Sequence, residues 1–281
     1  MRCRLCGGPT VVEAEREDLT LHRCTACAFI SGDPRQQPST TDRYRHYYRG
    51  DPPPAPEYRY EEWLVEAERR IGRGRLLEIG AGTGAFVRVA LRRGWSVCAN
   101  EVSETGLSRL RETGADVFDG TVEGARFSDA AFDLVVSLEV LEHLPEPPRH
   151  LQELARITRA GGLLLLSTPN FDGLSRRWLG ARWRVVEPGH LGYFTPRTLR
   201  SALRRAGYAS AEVGSRSLDI STWRESAAKG RDGVASFDPH ASARLRDTVQ
   251  SRPLLRMAKE SVYVLLRLTG LGDSLLVWAR R

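Results

Sequence analysis

The chain has 281 residues, enough for one sizeable domain and a small one. Hydrophobic residues make up 41%, no apolar run reaches the roughly 18–20 residues of a membrane span, and Met1-Arg2-Cys3-Arg4-Leu5-Cys6 lacks a signal-peptide core, so a cytoplasmic globular protein is expected. The net charge of +7 rests on scattered Arg, with Lys only at Lys229 and Lys259; it reads as solvated helix surface or as attraction for an anionic partner such as RNA or a nucleotide-linked sugar.

Cysteines come first in chain order. Cys3-x-x-Cys6 and Cys24-x-x-Cys27 lie on short, strand-like hairpin segments. Four thiolates at this spacing can close a tetrahedral zinc site with no open position, as structural ions require. A segment of about 30 residues buries too little core to fold alone, so metal would stabilise it. Residues 1–30 are therefore expected to form a zinc ribbon, with redox pairs as the other reading. Cys98 lies in an apolar strand and reads as core. Residues 31–56 are polar and proline-rich, ending in Pro52-Pro53-Pro54-Ala55-Pro56, and read as a linker.

From residue 57 periodicity takes over. Tyr60, Trp63, Leu64, Ala67 and Ile71 share one face of a helix over 57–71. Strands are expected at 76–79, 96–100, 116–118, 132–137 and 163–167, with helices at 86–93, 104–112 and 148–158 between them. Runs such as Leu163-Leu164-Leu165-Leu166 are apolar on both faces, which suits buried parallel strands. Thr195-Pro196 opens another helix and Gly207 stops it. A strand near 211–216 follows, then a polar stretch at 219–253, a helix over 254–268 and a last strand at 274–279. The pattern predicts an α/β fold with a doubly wound, mostly parallel seven-stranded sheet over 57–281 and an insertion at 219–268. Leu255, Val262, Leu265 and Leu266 are expected to pack the 254–268 helix on the core, with contact to a membrane or lipid acceptor as the alternative.

Glu78-Ile79-Gly80-Ala81-Gly82-Thr83-Gly84 follows a predicted strand and opens a predicted helix, the context a nucleotide-binding turn needs. Glycine allows the sharp turn and a close backbone approach, and the helix N-terminus offers unpaired amides. The glycines alternate, whereas a dinucleotide fingerprint places its third glycine one residue later. Glu101 ends the next strand, where a carboxylate can accept from ribose hydroxyls.

With these residues the chain resembles the class I S-adenosylmethionine-dependent methyltransferases. Further motifs in order carry the resemblance: Gly120-Thr121-Val122-Glu123 after the third strand, and Phe132-Asp133-Leu134-Val135-Val136 followed by Ser137-Leu138-Glu139-Val140-Leu141-Glu142-His143-Leu144. The resemblance implies S-adenosylmethionine against Glu78, Gly80, Ala81, Gly82, Gly84, Glu101, Val102, Thr121, Val122 and Leu138. Thr121 stands where the family often has Asp, which leaves backbone contacts to the adenine.

Methyl transfer from a sulfonium is an in-line displacement, so alignment supplies much of the rate, and a protonated nucleophile also needs a base. The candidates are Glu139, Glu142 and His143, expected on one face of a short helix, and His190 in Pro188-Gly189-His190-Leu191-Gly192-Tyr193-Phe194-Thr195-Pro196. The blander readings are a helix-capping acid and structural histidines. Quinone-type O-methyltransferases share the Glu-Val-Leu-Glu-His pattern, and in some of them it holds a divalent metal, so a second metal near Glu139, Glu142 and His143 is a further expectation. The 188–196 segment resembles a bacterial branch acting on sugars, lipids and secondary metabolites. A zinc ribbon before such a core resembles sugar C-methyltransferases on one hand and ribosomal RNA guanine methyltransferases on the other. A small-molecule acceptor is the leading expectation. RNA methylation is the second, and a non-catalytic cofactor-binding assembly protein the third.

Overall fold

The computed structural model describes residues 1–36, 57–218 and 252–281. Most of the expected linker (37–56) and most of the expected insertion (219–251) lie outside the described residues.

The N-terminal strands are β1 (Thr10–Glu15), β2 (Leu19–Cys24) and β3 (Ile30–Pro34), paired as an antiparallel meander. β3 moves the expected boundary at residue 30: Ser31 to Pro34 are polar in sequence, yet a ladder to β2 holds them as strand. The main body opens with α1 (Glu57–Ile71), which buries Leu64 and Ala67. Then come β4 (Arg75–Ile79), α2 (Ala85–Arg92), β5 (Ser96–Glu101), α3 (Glu104–Arg111), β6 (Asp116–Asp119), α4 (Val122–Ala125) and β7 (Phe132–Leu138). A single 3-10 turn, Leu141–His143, leads to α5 (Pro147–Ile157), β8 (Thr158–Pro169), α6 (Leu174–Leu179) and the two-residue β9 (Gly192–Tyr193). The chain ends with α7 (Pro196–Ala206), β10 (Ser210–Arg216), α8 (Pro253–Thr269) and β11 (Ser274–Arg280).

The main sheet has seven strands in the order β10-β11-β8-β7-β4-β5-β6, as expected of a doubly wound fold. β8, β7, β4, β5 and β6 run parallel; β11 is antiparallel to both β8 and β10. The chain leaves β4 for β5 and β6 on one side and returns on the other with β7. That reversal opens a crevice beyond the carboxyl ends of β4, β5 and β7, where ligands bind in open α/β sheets.

The leucine run of β8 shows why these strands form. Leu164 and Leu166 pack with Phe132 and Ile157 on one face, Leu163 and Leu165 with Leu76 and Trp278 on the other. None of the four leucines is more than 1% exposed, and each contributes on the order of 1.5–3 kcal/mol through burial. α7 has a capping box between Thr195 and Thr198, Pro196 in its first turn and Gly207 at φ +104 beyond its end. α8 differs from expectation: Leu266 is buried, but Val262 and Leu265 are exposed rather than packed on the core. No helix among the described residues is long and apolar enough to cross a membrane.

The small sheet is not made by the N-terminal segment alone. Its order is β1-β2-β3-β9, with Ile30 opposite Tyr193 and Ser31 opposite Gly192. Leu19, Leu21 and Ile30 share a core with Trp183, Val186 and Tyr193 from the segment between β8 and α7. Those aromatics pack under the loop instead of lining a pocket, whereas Trp178 is exposed.

Candidate active site

The glycine turn behaves as its spacing predicts. Gly80, Gly82 and Gly84 all take positive φ, at +64, +57 and +75, a region where a side chain is strained. A Cβ at Gly80 would also lie 2.7 Å from the Val140 side chain.

Glu101, at the end of β5, is 5% exposed, and its carboxylate is heavily engaged. Oε2 accepts from the Gly82 N–H at 2.7 Å, and Oε1 accepts from the N–H groups of Val102 and Ser103 at 2.8 Å each. Those bonds take three of about four lone-pair positions. Glu101 thus braces the glycine turn besides facing the cavity. Behind it Glu78 is buried, with its carboxyl pushed well above the usual range by burial and by the Glu101 charge. Glu78 Oε2 has no hydrogen-bond partner among the described residues.

A cavity of about 790 Å³ opens over these strand ends. Of the expected cofactor residues, Gly80, Glu101, Val102, Thr121, Val122 and Leu138 line it, while Glu78, Ala81, Gly82 and Gly84 do not. Thr121 caps α4 by accepting from the Gly124 N–H at 3.3 Å, which explains a hydroxyl residue there. The four candidates for chemistry, Glu139, Glu142, His143 and His190, line the same cavity.

They are not carried on one face of a helix. Glu139 precedes the 3-10 turn at φ +54, a conformation rare for a non-glycine residue. Ser167 pins it twice: its carbonyl accepts the Glu139 N–H at 3.0 Å, and its hydroxyl donates to Glu139 Oε1 at 2.6 Å. Glu142 is 1% exposed and accepts from the Thr168 hydroxyl at 3.0 Å. Burial raises the pKa of the Glu142 carboxyl and the Glu139 charge raises it further, while Glu139, exposed to the cavity, is raised by partial loss of solvation. The pair therefore retains a proton above the range in which a solvated Glu ionises.

The histidines meet edge to face, ring centroids 4.6 Å apart. His143 Nδ1 lies 3.0 Å from the Gly189 carbonyl and His190 Nδ1 2.7 Å from the Val185 carbonyl. A carbonyl only accepts, so each Nδ1 carries the hydrogen and each neutral ring keeps its lone pair on Nε2. His143 Nε2 is 4.0 Å from Glu142 Oε1, and His190 Nε2 is 3.6 Å from Glu187 Oε1. Glu142, His143 and His190 each bring a ligand-type atom within 4.8 Å of the others. This changes the expected metal set, since His190 joins Glu142 and His143 in place of Glu139.

Sequence reasoning missed the Glu123–His150 pair, joined at 2.8 Å on the cavity wall. No spacing signal connects these residues. It also missed Ser167 and Thr168 as anchors, although both lie at the strand end where such anchors belong.

The four N-terminal cysteines converge, all sulfurs within 4.8 Å of one another. Cys3 and Cys27 are 3.7 Å apart and Cys6 and Cys24 3.5 Å. A tetrahedron with metal–sulfur distances of about 2.3 Å has edges of about 3.8 Å. The N–H groups of Leu5 and Cys27 approach the sulfurs of Cys3 and Cys24 at 3.4 Å each, as suits thiolates.

A glycine turn that opens a helix, with an acid at the end of the next strand of a doubly wound sheet, is the arrangement that receives nucleoside-type ligands in open α/β folds. The methyltransferase-domain family matches residues 44–213, more than half of the chain and starting beyond the four N-terminal cysteines, so the protein belongs to that family. It is 34% identical over 140 residues to the malonyl-[acyl-carrier protein] O-methyltransferase of Serratia marcescens, covering 47% of this chain and 54% of that one. It is 32% identical over 126 residues to the ubiquinone biosynthesis O-methyltransferase of Caulobacter sp. (strain K31), covering 41% and 50%. The chain thus spans about half the length of the curated relatives it matches. In fold it is similar to an S-adenosylmethionine-dependent methyltransferase from Archaeoglobus fulgidus, with TM-score 0.54, 17% identity and coverage of 81% and 95%. Phosphoethanolamine N-methyltransferase 2 of Haemonchus contortus, solved with S-adenosylmethionine, gives TM-score 0.54 at 14% identity, covering 90% of this chain and 62% of that one.

Proposed function

We propose that the enzyme methylates a hydroxyl of a small, polar acceptor such as a sugar or secondary metabolite, with His143 and His190 as the proton-accepting pair. The carrying observation is the placement of both rings: each Nδ1 lies within hydrogen-bond distance of a backbone carbonyl, and the two rings meet edge to face on the cavity wall, each Nε2 near a carboxylate. S-adenosylmethionine supplies an already activated methyl group. The residues therefore need only align the acceptor and take its proton. Glu142, beside His143, offers a counter-charge once that ring is protonated. Both named relatives are O-methyltransferases, which supports oxygen as the accepting atom.

The lining supports the acceptor class. Among the described residues, Glu101, Glu123, Glu146, Glu187 and the proton-sharing Glu139–Glu142 pair line the cavity with the guanidiniums of Arg149 and Arg184. A cavity with this balance, in a chain of net charge +7, favours a neutral or amine-bearing molecule over RNA.

The cofactor would rest on Gly80, Val102, Val122 and Leu138. Glu101 would face its ribose with the lone pair its backbone bonds leave, and Thr121 would offer backbone to the adenine. The cysteine spacings fit a structural zinc at Cys3, Cys6, Cys24 and Cys27, and free thiols suit a reducing compartment such as the cytoplasm. A second reading of the histidines is a divalent metal on Glu142, His143 and His190, favoured by their convergence.

The test is turnover of His143→Ala and His190→Ala against a panel of neutral and amino sugars and phenols, read as S-adenosylhomocysteine formed. Turnover should fall about 10²–10⁴-fold in at least one variant while S-adenosylmethionine affinity stays within a few-fold. Full turnover in both removes the base assignment. Wild-type activity that chelator abolishes and manganese restores selects the metal reading. Mass analysis of chelator-free protein should find one zinc per chain.

A further inference from the structure

The sequence makes the cysteine segment look like an appendage, yet its last strand lies against the loop that bears His190. We propose that this module is a positioning device for the two histidines, with Gly32 as the contact that sets their register. The inference rests on the base assignment above.

The connection runs through one residue, Leu191. The Gly32 N–H donates to the Leu191 carbonyl at 2.9 Å, and the Leu191 N–H donates to the Glu142 carbonyl at 2.7 Å. Leu191 is thereby held between the module and the turn that carries Glu142 and His143. Its neighbour His190 bears one catalytic ring, and Gly189, one residue earlier, accepts from the other through His143 Nδ1. Both rings therefore take their orientation from residues 185–191, and the module fixes one side of that segment.

Gly32 suits this role because the loop backbone lies directly on it. A Cβ there would sit 2.4 Å from the His190 carbonyl oxygen, backbone against backbone, with no flexible side chain to give way. The glycine is required by close approach. Arg16 adds two bonds from β1's end of the module, to the carbonyls of Ala181 at 3.1 Å and Val186 at 2.6 Å. The cysteines close the base of the same hairpin: the Cys24 N–H donates to the Phe29 carbonyl at 2.9 Å, and Phe29 packs on Phe194 at 4.8 Å, two residues past Gly192. No corresponding bond joins the module to the glycine turn or Glu101 among the described residues.

The experiment compares Gly32→Ala with wild type, both zinc-loaded, by ¹⁵N NMR of the histidine rings, which needs no acceptor. Gly32→Ala should keep its zinc and bind S-adenosylmethionine within twofold of wild type. The His143 and His190 signals should change from a single Nδ1–H form to a mixture. Turnover should fall 10–100-fold, because a displacement of about 1 Å at a reacting group costs on that order. Unchanged ring signals in the folded variant overturn the proposal. If Gly32→Ala does not fold, wild type stripped of metal decides: it should retain cofactor binding while trypsin gains access at Arg182 and Arg184, and a loop that stays resistant overturns the proposal. If the rings shift but His143→Ala and His190→Ala leave turnover intact, positioning stands and the base assignment fails.

Discussion

The glycine turn with Glu101 and the histidine cluster meet at one cavity but are held in opposite ways. Around the glycine turn the ties are local: Glu101 reaches back to Gly82 and forward to Val102 and Ser103, all within one strand-helix-strand unit. Around the histidines the His190–Val185 bond is local, but the ties that bring the cluster together join distant parts of the chain. His143 is bound to Gly189, Glu139 to Ser167, and Leu191 to both Glu142 and Gly32. A site assembled within one unit stands or falls with the fold. A site assembled from four segments can lose its alignment while the fold survives. The first half should therefore fail by unfolding and the second by misplacement.

The largest effect should follow Glu101→Ala. It leaves two buried N–H groups, of Gly82 and Ser103, and the half-buried one of Val102 without their acceptor, at roughly 1–3 kcal/mol for each buried one, so stability should drop by about 3 kcal/mol in urea titration. Calorimetry should detect at least 100-fold weaker S-adenosylmethionine binding. A variant that loses binding but melts like wild type would mean that the carboxylate serves the ligand alone, and the brace is not what holds the turn.

Glu142→Gln sharpens the contrast from the other side. Glu142 holds its proton above 4.5, where an unfolded glutamate has released it. Between those two pKa values the unfolded state binds fewer protons, so this group's contribution is full below about 4.5 and is lost as pH rises toward the folded value. Glutamine is neutral throughout, can accept from Thr168 and can donate to Glu139. The variant should melt about 2–4 °C higher than wild type at pH 8, with the difference closing near pH 4.5, and turn over more slowly. Equal melting at both pH values would mean that the carboxyl carries no such cost.

This division also explains what was legible in the sequence. The seven strands, the glycine turn, Glu101 and the four cysteines follow from periodicity and spacing, which are local. β9 is two residues long and exists only because β3 lies beside it, so no window of sequence announces it. Likewise, the expected helix after β7 is a 3-10 turn because Ser167, 28 residues away, holds Glu139 at φ +54. His143 and His190 were both recognisable as candidates, but their pairing depends on the Gly189 carbonyl, which only tertiary structure brings to His143. The Glu123–His150 pair had no sequence signal for the same reason.

The smallest effect, and the finest probe of the contrast, is Arg16→Ala. The guanidinium gives one nitrogen to the carbonyls of Ala181 and Val186 and two to Asp18, with the Arg16 side chain 21% and Asp18 40% exposed. The Asp18 pair is exposed enough that its loss should cost little. The two carbonyl bonds matter more, because they hold the loop from outside the cavity and touch nothing that binds the cofactor. Removing them lets water solvate the carbonyls, so the penalty is modest, about 1 kcal/mol. Acceptor KM should rise about three- to tenfold and kcat fall less, while S-adenosylmethionine affinity and zinc content stay at wild-type values. Arg16→Lys should recover part of the loss, since an ammonium can reach a carbonyl but lacks the planar fork. If Arg16→Ala instead weakened the cofactor as much as the acceptor, the two halves would be one mechanical unit, and the contrast between local and assembled construction would not govern how this enzyme fails.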